Sequence, residues 1–336
     1  MLMHKNTTSQ NGFSHILILF VVILLGVVGF AGWRVYSKQD NPKDEQKQNQ
    51  EDTAKTEDNA KSKIVLSVAE EGEKILPNGV ADPTITKTDT GYRMYVNQQS
   101  GGPSGYLTYI STDGKSWEKE NGIVIPGVAT GRAVAMDGGV RFYHPGTQPI
   151  NPSDPPALMY SRFSSDGIDF SDPVTAFEPR EGYYVEGPTV FQLEDKSWQM
   201  YFNENSVKSG NQRDGEIFGA KSSDGITWTR DSEPTIVFDE VEKEALGSKN
   251  APWSQILHPF VLKNPNGGYI MFYNSHSEVF TATSDDGVTW EKLGKLGIHG
   301  ADVDGYFQTD GTIRLFYGDY AQETGGVVFT ATVSIK

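Results

Sequence analysis

The 336-residue chain contains no cysteine, which excludes disulfides, thiol nucleophiles and thiolate metal ligands, and removes the usual clue to redox compartment. Positive charge is also scarce: 29 Lys and Arg face 44 Asp and Glu, a balance that argues against a nucleic-acid-binding surface. No segment sustains the 3.6-residue apolar period of a long amphipathic helix. No GxGxxG follows a strand-like run and no GxxxxGK[ST] occurs, so no nucleotide site is expected. The six histidines are scattered and HExxH is missing, so neither a metal nor any other cofactor is expected.

Glycine and aromatic residues are plentiful, with 36 Gly, 15 Tyr and 17 Phe, as in a protein of short strands joined by tight turns. One long apolar run exists. Ile16 to Trp33 is an uncharged stretch of 18 residues, roughly 27 Å long as a helix and enough to cross a bilayer. It predicts an N-terminal membrane anchor over residues 1–36. Residues 37–63 are almost free of apolar side chains and predict a disordered tether with a reach of about 30 Å. Flanking Lys and Arg favour a cytoplasmic C-terminus, but large following domains translocate regardless of that bias. The expected placement of the C-terminal domain is extracytoplasmic.

Two internal repeats define that domain, residues 64–336. An SxDGxx-aromatic pattern begins at Ser111, Ser164, Ser222 and Ser284. Its physical content is a hairpin turn in which Ser and Asp oxygens bond turn amides, Gly takes positive φ, and the aromatic packs between sheets. A calcium role for these Asp-Gly pairs lacks further ligands. An aromatic strand recurs five times, at Tyr92, Val140, Trp198, Tyr269 and Ile313. Five strands against four turns are reconciled if residues 64–80 supply the outer strand of the last sheet, closing a ring. The fold class expected is an all-β, five-bladed β-propeller.

Each aromatic strand follows a shorter one with a polar head: Asp82, Thr130, Glu186, His258 and Asp302. First strands line a propeller's axis, so these heads, with Arg132 nearby, converge on one funnel. Proline beside three of them suits a strand edge facing the channel.

The segments ADPTITKTDTGYRMYV (81–96) and VEGPTVFQLEDKSWQMYF (185–202) resemble the five-bladed propeller glycosidases, chiefly glycoside hydrolase family 43, with relatives in families 32 and 62. The resemblance spans residues 64–336. It implies Asp82 as general base and Glu186 as general acid of an inverting hydrolysis, which needs carboxyls roughly 6.5–9.5 Å apart. Arg132, His258, Asp302, Tyr184 and Trp253 are candidate substrate-binding residues, the aromatic rings together with Tyr183 and Tyr306 offering faces for sugar stacking or simply packing. Relatives carry Asp where Thr130 stands, a departure that puts activity in doubt. Asp302 or Asp304 is a possible third carboxylate, and Arg132 either binds a charged sugar or quenches a carboxylate. A membrane-anchored glycosidase acting on furanoside-type glycans is the leading expectation. A surface propeller that binds carbohydrate or protein without cleaving it is the alternative, and a sialidase-like protein, which would have six blades, is the third.

Overall fold

The computed structural model describes residues 64–147, 157–207, 215–247, 255–319 and 324–336. The expected anchor at 16–33 and tether at 37–63 lie outside the described residues. Among the described residues no helix is long and apolar enough to cross a membrane.

The chain enters through β1 (Leu66–Lys74) and then forms four sheets in sequence. Blade 1 is β2 (Val80–Thr88), β3 (Gly91–Gln98), β4 (Gly105–Ser111) and β5 (Glu118–Pro126). Blade 2 is β6 (Arg132–Met136), β7 (Gly139–Pro145), β8 (Met159–Ser164) and β9 (Val174–Phe177). Blade 3 is β10 (Tyr183–Gln192), β11 (Trp198–Ser206), β12 (Gly215–Ser222) and β13 (Thr229–Ile236). A seven-residue helix, α1 (Glu240–Leu246), precedes blade 4, which comprises β14 (Leu257–Lys263), β15 (Tyr269–Ser275), β16 (Glu278–Ser284) and β17 (Glu291–His299). Blade 5 joins β18 (Ala301–Phe307), β19 (Ile313–Asp319) and β20 (Val327–Ile335) to β1. The result is the expected five-bladed propeller. β1 pairs antiparallel with β20 from Leu66↔Ile335 to Lys74↔Phe329, so the last sheet is completed by the first strand.

The four SxDG turns are built as their chemistry dictates. Asp113 Oδ1 accepts from the amides of Lys115 and Ser116 at 2.8 and 2.9 Å, and Ser111 Oγ accepts from Gly114 N at 2.8 Å. Gly114, Gly167, Gly225 and Gly287 all have φ between 69° and 76°. These turns also weld neighbouring blades. Tyr95, Tyr143 and Tyr201, each buried on a second strand, donate their hydroxyls to the carbonyls of Gly167, Gly225 and Gly287 in the next blade at 2.9, 2.5 and 2.7 Å. The turn's own aromatic stacks edge-on against the same residue in Tyr95–Phe170, Tyr143–Trp228 and Tyr201–Trp290. Phe316 meets Trp117 in the same manner across the blade 5 to blade 1 interface.

Blade 4 shows why the turn occurs four times. Its residue at the tyrosine position is Phe272, which packs with Leu66, Val68, Val333 and Ile335. In blade 5 the third and fourth strands are the two ends of the domain, so no turn joins them and no carbonyl is there for a hydroxyl.

Hydrogen bonds from the turn amides, with the Ser hydroxyl assisting, hold the Asp113, Asp166 and Asp286 carboxyls down at about 2 and lower Asp224 as well. A carboxyl whose folded pKa is depressed contributes stability that is present above its unfolded value near 3.9 and lost as pH falls through the folded value. The melting temperature is therefore expected to fall between about pH 4 and pH 2. Scanning calorimetry of the wild type and of a variant with all four Asp changed to Asn checks this: the variant should lose much of that acid dependence.

Candidate functional site at the strand heads

Five equivalent points at the heads of the innermost strands carry left-handed backbone: Asp82 (φ 49°), Thr130 (49°), Gly187 (57°), His258 (49°) and Asp302 (53°). In four blades the pairing register shifts there, between Ala81 and Thr84, Glu186 and Thr189, Leu257 and Phe260, and Ala301 and Asp304. A non-glycine residue in this region costs about 1–2 kcal/mol. Four such residues at one level of the ring are strain of the kind that gathers at functional sites.

The repeat corrects one alignment. The head of blade 3 is Gly187, in Gly187-Pro188, matching Asp82-Pro83 and His258-Pro259; Glu186 stands one residue earlier. A bulge changes which residue faces the axis, so Glu186 does not occupy the ring position of Asp82. It instead accepts from Asn203 Nδ2 at 3.2 Å and Asn205 Nδ2 at 2.8 Å, both on β11, and lies 4.0 Å from His258 Nε2. His258 Nδ1 abuts Asp302 Oδ1. Asp82, Thr130, Gly187 and Asp302 line a common hollow of about 10 Å³, room for one water. Gln99 Nε2 on β3 approaches Asp82 Oδ2 at 3.4 Å.

Asp302, Glu186 and Asp82 all act on the His258 imidazole. Burial, the largest single influence, disfavours its charged form, but the attraction and hydrogen bond of Asp302, followed by Glu186 and Asp82, outweigh it and raise the pKa to about 9. A raised histidine pKa contributes stability that is complete below about 6.5 and lost as pH rises through about 9. A second loss of stability on the alkaline side is thus expected, and it should vanish in His258→Asn, a substitution whose side chain tolerates left-handed φ.

A second tier lies two residues below the heads: Thr84, Arg132, Thr189, Phe260 and Asp304. Three of these staple the next blade, with Thr84 Oγ1 accepting from Ala133 N at 3.0 Å, Thr189 Oγ1 from Val261 N at 3.2 Å and Asp304 Oδ2 from Ile85 N at 3.2 Å. Arg132 crosses the axis to reach Asp304 Oδ2 at 2.5 Å and Pro188 O at 3.2 Å, with its guanidinium over the Phe260 ring. Burial lifts the Asp304 carboxyl pKa and the Arg132 charge pulls it back in part. Both residues are buried. They plug the channel and separate the mouth from a cavity of about 180 Å³ lined by Ile85, Val134, Val190 and Val261.

Arg132 therefore quenches a carboxylate, and Asp304 is spent on it. Asp304 lies below the mouth, whereas Asp302 lines the hollow there, and Arg132 lines the same hollow while paired with Asp304. Tyr184 is only 4% exposed, so it has no ring face to offer, contrary to its candidacy. Tyr306 stacks on Tyr92 at 4.3 Å, with its hydroxyl beside Gly114 of the first turn; it packs far from the heads. Tyr183 carries the Arg180 guanidinium 4.1 Å from its ring. Trp253 lies outside the described residues.

Sequence reasoning missed the amides that hold the heads. Asn97, Asn203 and Asn274 lie on the aromatic strands β3, β11 and β15, and all are buried. Asn97 donates to Val128 O at 2.6 Å; Asn203 Oδ1 accepts from His258 N at 3.1 Å, and Asn274 Oδ1 from Asp302 N at 3.2 Å. The signal was an Asn two residues after the buried aromatic in each of these repeats. Glu204, also missed, is a buried anchor beneath Asn205, held by Arg180 at 2.5 Å and Arg230 at 2.6 Å. Among the described residues, no three His, Asp or Glu side chains are grouped as metal ligands.

No protein-family model matches the chain. An uncharacterized protein of Mycobacterium tuberculosis is 28% identical over 128 residues, 37% of this chain, and the match spans only 39% of that relative's length. Solved structures are similar over far more of the domain. An endo-arabinase from Bacteroides thetaiotaomicron superposes with a TM-score of 0.60 at 15% identity, covering 79% of this chain and 99% of its own. A thermostable family-43 glycoside hydrolase gives 0.59 at 16%, over 79% and 91%. An N-acetylgalactosamine deacetylase from F. plautii gives 0.58 at 15%, over 80% and 95%. At these identities the likeness is one of architecture, and a fold hosts more than one chemistry. The chain has the five-bladed propeller fold of the family-43 glycoside hydrolases.

Proposed function

We propose that the protein hydrolyses glycosidic bonds with inversion, Glu186 protonating the leaving oxygen and Asp82 activating water. The observation that carries this reading is that Glu186 lies 4.0 Å from the ring of His258, which pairs with Asp302, while Asp82 from another blade lines one hollow with Asp302. Direct displacement needs an acid and a base on opposite sides of the sugar, with a water beside the base. The water-sized hollow beside Asp82 suits the second requirement. It also implies that the sugar sits above the ring of heads. Furanoside-type glycans are the substrates we favour, by analogy of fold with the arabinase.

The test is turnover by the full chain on arabino- and xylo-oligosaccharides, with Asp82→Asn and Glu186→Gln alongside. Product from the wild type and none from either variant is expected; product undiminished in both variants would remove the assignment. A second reading, a propeller that binds glycan without cleaving it, is favoured by Thr130, which leaves the second blade without a carboxylate at its head. Calorimetric binding of the same oligosaccharides, with no product after prolonged incubation, would select it. The sialidase-like reading required six blades, and the domain has five.

We further propose that residues 16–33 anchor the chain in a membrane with the propeller on the extracytoplasmic side. Protease added to intact cells should then remove the propeller, while alkaline carbonate leaves the N-terminal fragment in the membrane pellet.

A further inference from the structure

Resting on that glycosidase reading, we propose that Tyr183, stiffened from behind by Arg180, is the platform for a second, neutral sugar unit adjoining the one held above the heads. The glycan thus leaves the mouth over blade 2.

Strand lengths set the relief of the mouth. β10 begins at Tyr183, four residues before its head Gly187, whereas β2 begins two residues before Asp82, β14 and β18 one before His258 and Asp302, and β6 only after Thr130. At about 3.3 Å per residue, Tyr183 stands roughly 13 Å along the strand above its head. β11 rises alongside, with Tyr183 opposite Ser206 and Val185 opposite Glu204. A glycan with one unit over the heads must therefore pass this raised strip on one side or the other.

Side-chain alternation decides which. Glu186 pairs with Asn203, which reaches His258, so Tyr184, Glu186, Asn203 and Asn205 face blade 4. That side is filled: Tyr184 is buried, and the buried Gln255 approaches Asn205 and bridges to Gly215. Tyr183 and Glu204 face the opposite way, as does Phe202, which meets Phe177 of blade 2. Blade 2 has no strand rising beside them, and Tyr183 stays partly exposed. β10 is the innermost strand of its sheet, so its free edge borders the axis and a glycan crossing that edge can meet Glu186 on one face and Tyr183 on the other.

The ring is held in advance. Tyr183 N donates to Arg180 O at 3.0 Å, and the Arg180 guanidinium lies between the Tyr183 ring at 4.1 Å and the Phe218 ring at 4.6 Å. Arg180 donates from Nε at 2.5 Å and from its backbone N at 2.9 Å to the Glu204 carboxylate, which is fully buried and also held by Arg230. Its Nη groups make no hydrogen bond among the described residues, and the side chain is 36% exposed. A stacked ring and a fixed fork of donors lose little freedom on binding. Asp82, Glu186 and Asp302 stand in the mouth and the exposed Glu178 and Glu181 flank Arg180, surroundings that favour a neutral sugar over an acidic one.

Two measurements test this. In kinetics, Tyr183→Ala is expected to raise KM about tenfold on arabino- and xylo-oligosaccharides through loss of one stacked ring, with kcat little changed because the contact is made equally before and in the transition state. On methyl arabinosides and xylosides, which carry a single sugar, the rise should stay under about threefold. Tyr183→Phe keeps the ring and should restore the wild-type KM. Arg180→Lys keeps a charge beside Glu204 but loses the planar fork, and should raise KM about threefold on the oligosaccharides. Equal effects on both sets of substrates, or no effect of Tyr183→Ala, would overturn the proposal. Independently of turnover, calorimetric titration of the same oligosaccharides into the full chain carrying Glu186→Gln should give a Kd that Tyr183→Ala weakens about tenfold. No binding by that parent, or an affinity indifferent to Tyr183→Ala, would refute the platform even if hydrolysis were confirmed. Binding that depends on Tyr183, with no product from the wild type, would uphold the platform and remove the hydrolytic reading instead.

Discussion

Glu186→Gln is expected to lower kcat on unactivated glycosides by about 10³-fold, within the 10²–10⁴ that a placed general acid contributes. The amide keeps the shape of the carboxyl and can still sit against Asn203 and Asn205, so the ring of heads should persist. What it loses is a transferable proton. A general acid acts in the transition state, when charge gathers on the leaving oxygen, so the loss should fall on kcat with KM little changed. Asp82→Asn should be equally severe for a different reason: water is no longer deprotonated, and the defect should persist on activated nitrophenyl substrates that partly rescue Glu186→Gln. That asymmetry of rescue distinguishes acid from base. Steady-state rates on one alkyl and one nitrophenyl glycoside suffice to read it, and identical behaviour of the two variants would contradict the division of labour.

The second large effect concerns stability. Asp304→Asn is expected to destabilise the domain by about 3–5 kcal/mol, because it leaves the Arg132 guanidinium charged, buried and without its counter-ion. For a domain of this size that corresponds to roughly a 10 °C fall in melting temperature. The structure suggests its own repair. Thr84 and Thr189 occupy the same tier and accept the same inter-blade amide, so Asp304→Thr retains the staple to Ile85. Combined with Arg132→Met, which fills the space over Phe260 without charge, it should recover most of the loss, as replacements of buried ion pairs by packed side chains often do. Thermal melts of the single and double variants form a cycle. Simple additivity of the two losses would show that the plug is not the coupled unit described above.

Much of this architecture was legible from the chain. Four SxDG turns against five aromatic strands forced the prediction that the first strand closes the last blade, and β1 against β20 does so. The heads were found because proline follows Asp82 and His258, and because polar residues at strand starts are conspicuous beside buried runs. The exact head of blade 3 was not legible. Glu186-Gly187-Pro188 offers a carboxylate and a glycine side by side, and only backbone conformation shows that Gly187 carries the left-handed turn. That Arg132 quenches a carboxylate was one of two readings the sequence offered, but its partner was not legible: Asp304 is 172 residues away, and nothing local in either segment singles out that pairing. The Asn97, Asn203 and Asn274 staples follow directly on the repeat that revealed the strands, but the aromatic letters drew attention away from the asparagine two residues past each buried ring.

The blade plan also explains why Thr130 need not abolish chemistry. In a ring of heads, a carboxylate lost from one blade can be replaced from another, since the heads of blades 1, 2, 3 and 5 line one hollow. Asp302 stands in that ring and engages the only imidazole among the heads. On the proposed assignment of base and acid to Asp82 and Glu186, the redistribution would change only which neighbour stands beside the acid.

Stereochemistry addresses that pairing most directly. If water is activated by Asp82 on the side of the sugar opposite Glu186, each bond cleaved gives a hemiacetal of inverted configuration, and proton NMR during the first minutes of hydrolysis should show that anomer before mutarotation. A first-formed product of retained configuration would mean that a carboxylate attacks the sugar itself, and would contradict the acid–base pair assigned to Glu186 and Asp82.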